Sequence, residues 1–92
     1  MIVTTIDIET TFDKKRNVVS SPFFEDQLVY IGWFSFSTED YATEIAGCFF
    51  HHNEREPHKN AFKIVQDTLD ATDILVGHNI KFDLTWMREC NF

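Results

Sequence analysis

Asp7 and Glu9 stand one residue apart at the end of a run, Ile2 to Ile8, that is rich in β-branched side chains. Such a run is expected to form a strand. In a strand, residues i and i+2 project from the same face, so the two carboxylates would converge on one spot. Adjacent carboxylates repel, and one pKa rises unless a cation neutralises them. Hard divalent ions such as magnesium and manganese, which prefer oxygen ligands, provide that neutralisation. A third acid, Asp83, closes the string Gly77-His78-Asn79-Ile80-Lys81-Phe82-Asp83, which follows the apolar triplet Ile74-Leu75-Val76. Each piece has an ordinary explanation of its own. An Asp-x-Glu at a strand end also suits a solvated edge, an acid in a first helical turn gains about 0.3–1 kcal/mol from the helix dipole, and Asn79 suits a helix cap. No one of these accounts for the whole string.

These acids need a frame that brings two strand ends together. Gln27 to Phe36 is long and largely apolar and reads as a central strand, Thr38-Glu39-Asp40 as a turn, and Thr43 to Phe50 as a third strand. Together with the first strand they predict an antiparallel meander. The stretch from Thr11 to Asp26, with Lys14-Lys15-Arg16 and Ser20-Ser21-Pro22, reads as a long polar excursion. Its basic triplet suits a solvated loop or, alternatively, a phosphate contact. Pro57 suits a first helical turn. Phe62, Val65 and Leu69 then recur at helical spacing, with Ala61 and Ile64 widening the stripe, which predicts a helix from Pro57 to Ala71. Ile74-Leu75-Val76 is expected to be a buried parallel strand. Gly77-His78-Asn79 reads as a turn, and Phe82 to Cys90 as a helix with Leu84, Met87 and Trp86 facing inward. The order β-β-β-α-β-α predicts an α/β fold, a mixed sheet with helices packed on it. If the last strand runs parallel to the first, Asp7, Glu9 and Asp83 meet at the carboxyl ends of the strands, where open α/β sheets gather functional groups.

Composition narrows the function classes. A chain of 92 residues with a 43% hydrophobic share, including ten Phe, suffices for one small core. The net charge of −7 argues against a module that binds nucleic acid through a basic patch. It does not argue against an acidic site that meets phosphates through divalent cations. Cys48 and Cys90 lack Cys-x-x-Cys spacing; Cys48 lies in an apolar run and reads as a small buried hydrophobe, with a disulfide between the two as the alternative. His51, His52 and His58 flank a polar loop ending at Pro57, and nothing nearby completes a zinc ligand set. No signal-peptide layout and no apolar run of about 20 residues is present, so the expectation is a cytoplasmic protein with no membrane partner.

Asp7-Ile8-Glu9-Thr10 resembles the first exonuclease motif of the DEDD superfamily, and Gly77 through Asp83 resembles the second. The wording and spacing are most similar to the 3′→5′ proofreading domain of phage-type family A DNA polymerases. The resemblance covers Ile2 to Met87, and its second motif is the more specific of the two. It implies an RNase H-like fold and two-metal phosphodiester hydrolysis, using Mg2+ or Mn2+ ions about 3.5–4 Å apart. Asp7 would bridge both ions, Glu9 would serve the ion that also binds the attacking water, and Asp83 would hold the other. Thr10 and Asn79 would position the terminal nucleotide of a single-stranded DNA 3′ end. Phe12 and Phe82 would pack near its base, with core packing an equal reading for Phe82. The implied setting is a bacterial or phage-infected cell.

The resemblance also calls for a third motif, a Tyr or His followed four residues later by Asp, on a helix beyond one more strand. Nothing after Asp83 matches it, and Tyr30 and Tyr41 precede the second motif. Residues 1–92 thus read as the N-terminal part of one exonuclease domain without its third motif. Loss of the general base alone commonly costs about 10²–10⁴-fold in rate. Three accounts remain open: a truncated piece of a polymerase, one piece of a split polymerase completed in trans, and a catalytically silent module that docks on a replication protein. An RNA-directed DEDD nuclease shares both visible motifs. A small histidine metal-binding protein is a further alternative.

Overall fold

The computed structural model describes residues 1–11, 27–50 and 57–92. Its elements are β1 (Ile2–Thr10), β2 (Leu28–Ser37), β3 (Thr43–Phe49), α1 (Ala61–Asp70), β4 (Ile74–Gly77) and α2 (Ile80–Glu89). They form a small α/β domain with a four-stranded mixed sheet in the order β3-β2-β1-β4. The meander is as expected: β1 pairs antiparallel with β2, and β2 with β3. β4 crosses over through α1 and pairs parallel with β1.

Alternation along the strands sorts side chains onto two faces. Ile6, Ile8, Ile31, Trp33 and Cys48 are buried together with Ala61, Val65, Trp86 and Met87, so both helices cover one face. Directly paired residues share a face. The opposite face therefore carries the rows Val3-Phe36, Thr5-Phe34, Asp7-Gly32 and Glu9-Tyr30. Among the described residues no helix lies over it, and Phe34, Ile45, Ile74 and Val76 on it are exposed.

The start of β4 is fixed to the start of β1 by polar contacts. The Asp73 amide donates to the Ile2 carbonyl at 2.9 Å, and the Ile2 amide donates to Asp73 Oδ2 at 2.6 Å. Thr4, fully buried, shares its hydroxyl with Ser35 Oγ at 2.9 Å and Thr72 Oγ1 at 2.7 Å. A buried hydroxyl is tolerated only when it is hydrogen-bonded in this way. Register is thereby set so that the last residue of β4, Gly77, lies opposite Ile6.

Several expectations need correction. Helix α1 begins at Ala61 rather than Pro57, because Asn60 adopts a left-handed conformation (φ 59°) that Asn tolerates and that ends the preceding turn. Phe62 and Ile64 are exposed; Ala61 and Val65 are buried, and Leu69 packs partly buried against the core, as expected. Helix α2 begins at Ile80, and its buried residues are Asp83, Trp86 and Met87, whereas Leu84 is 47% exposed. β4 is parallel as expected but not buried: it is an edge strand, with Ile74 45% and Val76 43% exposed. Cys48 is buried, and both cysteines are free thiols with pKa values raised by burial. The basic triplet, Phe12, His51 and His52 lie outside the described residues. Among the described residues no helix is long and apolar enough to cross a membrane.

Candidate active site

Because β4 stops opposite Ile6, no strand among the described residues lies beside Asp7 on that edge of β1. The turn after Gly77 delivers the first turn of α2 to the vacated position. Asp7 and Glu9 are exposed on the face without helices, while Asp83 enters from the helix side and is only 3% exposed. The register of β1 against β2 slips between Glu9 and Thr10. A bulge at a strand end is a common way to re-aim side chains beside a site.

Asp83 is the unusual member. Its Oδ2 is buried and has no hydrogen-bond partner among the described residues. Burial pushes its pKa up, repulsion from Asp7 pushes it further, and His78 partly opposes the rise. Stabilising the helix dipole would not require this arrangement, since a first-turn acid does so from an exposed position. Space for the carboxylate comes from Gly77. A β-carbon there would stand 2.8 Å from Asp83 Oδ2 and 2.7 Å from Ile80 Cδ1. Gly77 does not have a positive φ, so close approach, not backbone conformation, demands glycine here.

The remaining residues of the string fall around this pair. Asn79 occupies the N-cap position of α2 with a left-handed backbone (φ 53°), but its side chain makes no capping bond and is exposed. Its residue type is explained by the backbone, and its amide is left facing solvent. Phe82 is partly buried against the core and meets Trp86 with ring centroids 6.4 Å apart. Thr10, the last residue of β1, is half-buried. His58 is engaged structurally: its Nδ1 accepts the Phe49 amide at 2.8 Å, and its ring stacks on Phe49.

The three acids are not drawn into one cluster. Among the described residues, no three His, Cys, Asp or Glu side chains stand close enough to share an ion. Asp7 and Glu9 project from one face and Asp83 is tucked under the other, where the charge of Asp7 still reaches it. The donor chemistry nevertheless fits a hard divalent cation: all three are carboxylates, and one has a buried oxygen without a partner. The chain was compared with family models, curated proteins and solved structures, and none matches it.

Sequence reasoning passed over Gly32 and Gly47, and weighed Tyr30 only as a third-motif tyrosine, for which it stands too early in the chain. Gly32 pairs with Asp7 on one side and with Gly47 on the other, and Tyr30 pairs with Glu9. Isolated glycines inside strands signal close approach of another group, and that signal was present here.

Proposed function

We propose that this chain is the N-terminal part of an RNase H-like 3′→5′ exonuclease domain, of the kind that proofreads for family A DNA polymerases. The observation that carries the reading is the buried, unpartnered Asp83 Oδ2 beside a second carboxylate, Asp7, at the carboxyl ends of two parallel strands. An anionic oxygen without a donor, next to another anion, is relieved by taking up a proton, as its raised pKa reflects, or by a cation in the proton's place.

Asp7, Glu9 and Asp83 are the residues that would hold Mg2+ or Mn2+. Bound ions would supply activation of the attacking water and neutralisation of the leaving 3′-oxygen. The side chains of Asp7 and Glu9 are exposed, and Asp83 is buried on α2. Asn79, whose side chain makes no capping bond, and Thr10, at the end of β1, would position the terminal nucleotide. The reading requires a fourth carboxylate, and a base to orient water, from beyond these 92 residues, in the same chain or another.

The test is hydrolysis of 3′-labelled single-stranded DNA and of the matching RNA by the complete reading frame, with Mg2+ or Mn2+. Release of 3′-terminal nucleotides from DNA, abolished by Asp7→Asn, supports the reading. Cleavage of RNA alone assigns the chain to the RNA-directed relatives instead.

One observation favours a second reading, a non-catalytic interaction module. Phe34, Ile45, Ile74 and Val76 are exposed on the sheet face that bears no helix, and apolar surface of this kind commonly marks an interface. Hydrolysis unaffected by Asp7→Asn and Asp83→Asn together would favour it.

A further inference from the structure

Gly32 and Gly47 face each other across β2 and β3, in the same row as Asp7. The space that their missing side chains leave is filled by Tyr30. A β-carbon on Gly32 would stand 2.9 Å from Tyr30 Cε1, and one on Gly47 would lie 2.8 Å from Cε2 and run into the phenol hydroxyl. Both edges of the ring thus approach the backbone, so the ring lies down across the sheet beside Asp7 instead of standing up from it. Phe49 packs on it with ring centroids 4.9 Å apart, and Phe49 in turn stacks on His58 at 5.8 Å and 4°. The His58 ring is held by the Phe49 amide. Tyr30 remains half-buried, with part of its surface open.

A hydrophobic core has no need of this arrangement, since it lies on the face away from both helices. Its neighbours in the two nearest rows are Glu9 and Asp7. An aromatic ring laid flat against a sheet and fixed from the side is what sequence-tolerant base stacking requires, because every base has a π-face. Resting on the nuclease reading above, we propose that Tyr30 is a stacking platform for a nucleobase near the 3′ end of single-stranded DNA, whose phosphates run past Asp7 and Glu9. The two glycines are the positions that set the platform flat, and Phe49 with His58 is its side support.

The experiment uses the complete reading frame with Ca2+, which permits binding without hydrolysis. Its probe is a short oligothymidylate carrying 5-iodouracil or an abasic residue at each of the last three positions in turn. Irradiation is expected to cross-link one iodouracil position to the peptide containing Tyr30. The abasic residue at that position is expected to weaken binding on the order of 5- to 100-fold. Tyr30→Leu weakens binding of the intact oligonucleotide by a similar factor and removes the abasic effect, whereas Tyr30→Phe retains both. DNA that binds with no Tyr30 cross-link, and with equal affinity when abasic, overturns the platform and leaves the carboxylate reading standing. No DNA binding at all, with Ca2+ or Mn2+, overturns both. The cross-link and abasic measurements use the unaltered chain, so a Tyr30 variant that fails to fold does not remove the test.

Discussion

Asp83 Oδ2 stands 2.8 Å from the point that a β-carbon on Gly77 would occupy, and among the described residues no group donates a hydrogen bond to it. Gly77 is the last residue of a parallel strand and Asp83 lies in the first turn of the helix that follows. The strand therefore ends in glycine so that a carboxylate is able to lie against it. Asp7, on the adjoining strand, adds its charge to the burial that raises the Asp83 pKa.

Gly77→Ala places a methyl group against both Asp83 and Ile80. Ile80 Cδ1 ends a flexible side chain and can turn aside, but Asp83 is held by the burial of α2. The substitution is expected to destabilise the chain by about 1–3 kcal/mol, as overpacking does. Urea denaturation checks the stability, and Mn2+ titration is expected to show weaker binding as Asp83 is displaced.

Asp83 gives stability a definite pH dependence. Its pKa is raised in the folded chain, so the unfolded state loses this proton at lower pH than the folded state does. Between the ordinary carboxylate range and the raised value the folded state binds more protons, and stability falls as pH rises. Below that window the contribution is absent. Asp83→Asn removes the ionised form, and is expected to raise stability at neutral pH by on the order of 1–3 kcal/mol in metal-free buffer. Thermal melts of the two proteins across the acid-to-neutral range should converge at low pH.

The inward face of α2 is tested by two truncations. Met87 is 6% exposed and Leu84 is 47% exposed. Met87→Ala is expected to cost about 2–5 kcal/mol. Leu84→Ala should change stability by less than about 1 kcal/mol, in the range of surface substitutions. Equal costs for the two would mean that the helix packs with a different face inward.

The meander, the crossover and the parallel pairing of β4 with β1 were legible because each rests on local pattern: β-branched runs, turn residues and helical spacing of apolar side chains. The phase of α2 was legible in part: Trp86 and Met87 face inward as expected, and Leu84 does not. Its inward positions are Ile80, Asp83, Trp86, Met87 and Cys90, a regular helical stripe interrupted by an acid. With Asp83 left out of the stripe, Leu84 is the natural substitute. A carboxylate at an inward position was itself the signal that the helix buries a functional group. The start of α1 was missed for a different reason: Asn60 takes a left-handed backbone, which sequence permits but does not compel. Exposure of β4 depends on what stands beside it in space and has no local signature. Among the site residues, Asp7 and Glu9 share a face as their spacing required, and Asp83 is beside Asp7 at the expected end of the sheet. Their separation onto two faces arises from where β4 stops, which spacing alone does not specify. Phe12 lies outside the described residues.

Divalent cations should stabilise the chain if its carboxylates hold them, because a ligand that binds only the folded state raises stability by RT ln(1 + [L]/Kd). Mn2+ at about a hundredfold excess over its Kd should contribute about 2.7 kcal/mol. The affinity should rise with pH through the raised Asp83 pKa, since the proton and the metal compete for the same oxygen. The melting temperature at matched Mn2+ concentrations across pH checks both statements.

The most direct measurement of the central claim is calorimetric titration of the chain with Mn2+ at neutral pH, alongside Asp7→Asn, Glu9→Gln and Asp83→Asn. Saturable binding that each of the three substitutions weakens at least about tenfold, a change of about 1.4 kcal/mol, is the predicted result. Binding that is absent, or that persists unchanged in Asp7→Asn and Asp83→Asn, would contradict the assignment of these carboxylates to a metal-dependent nuclease site.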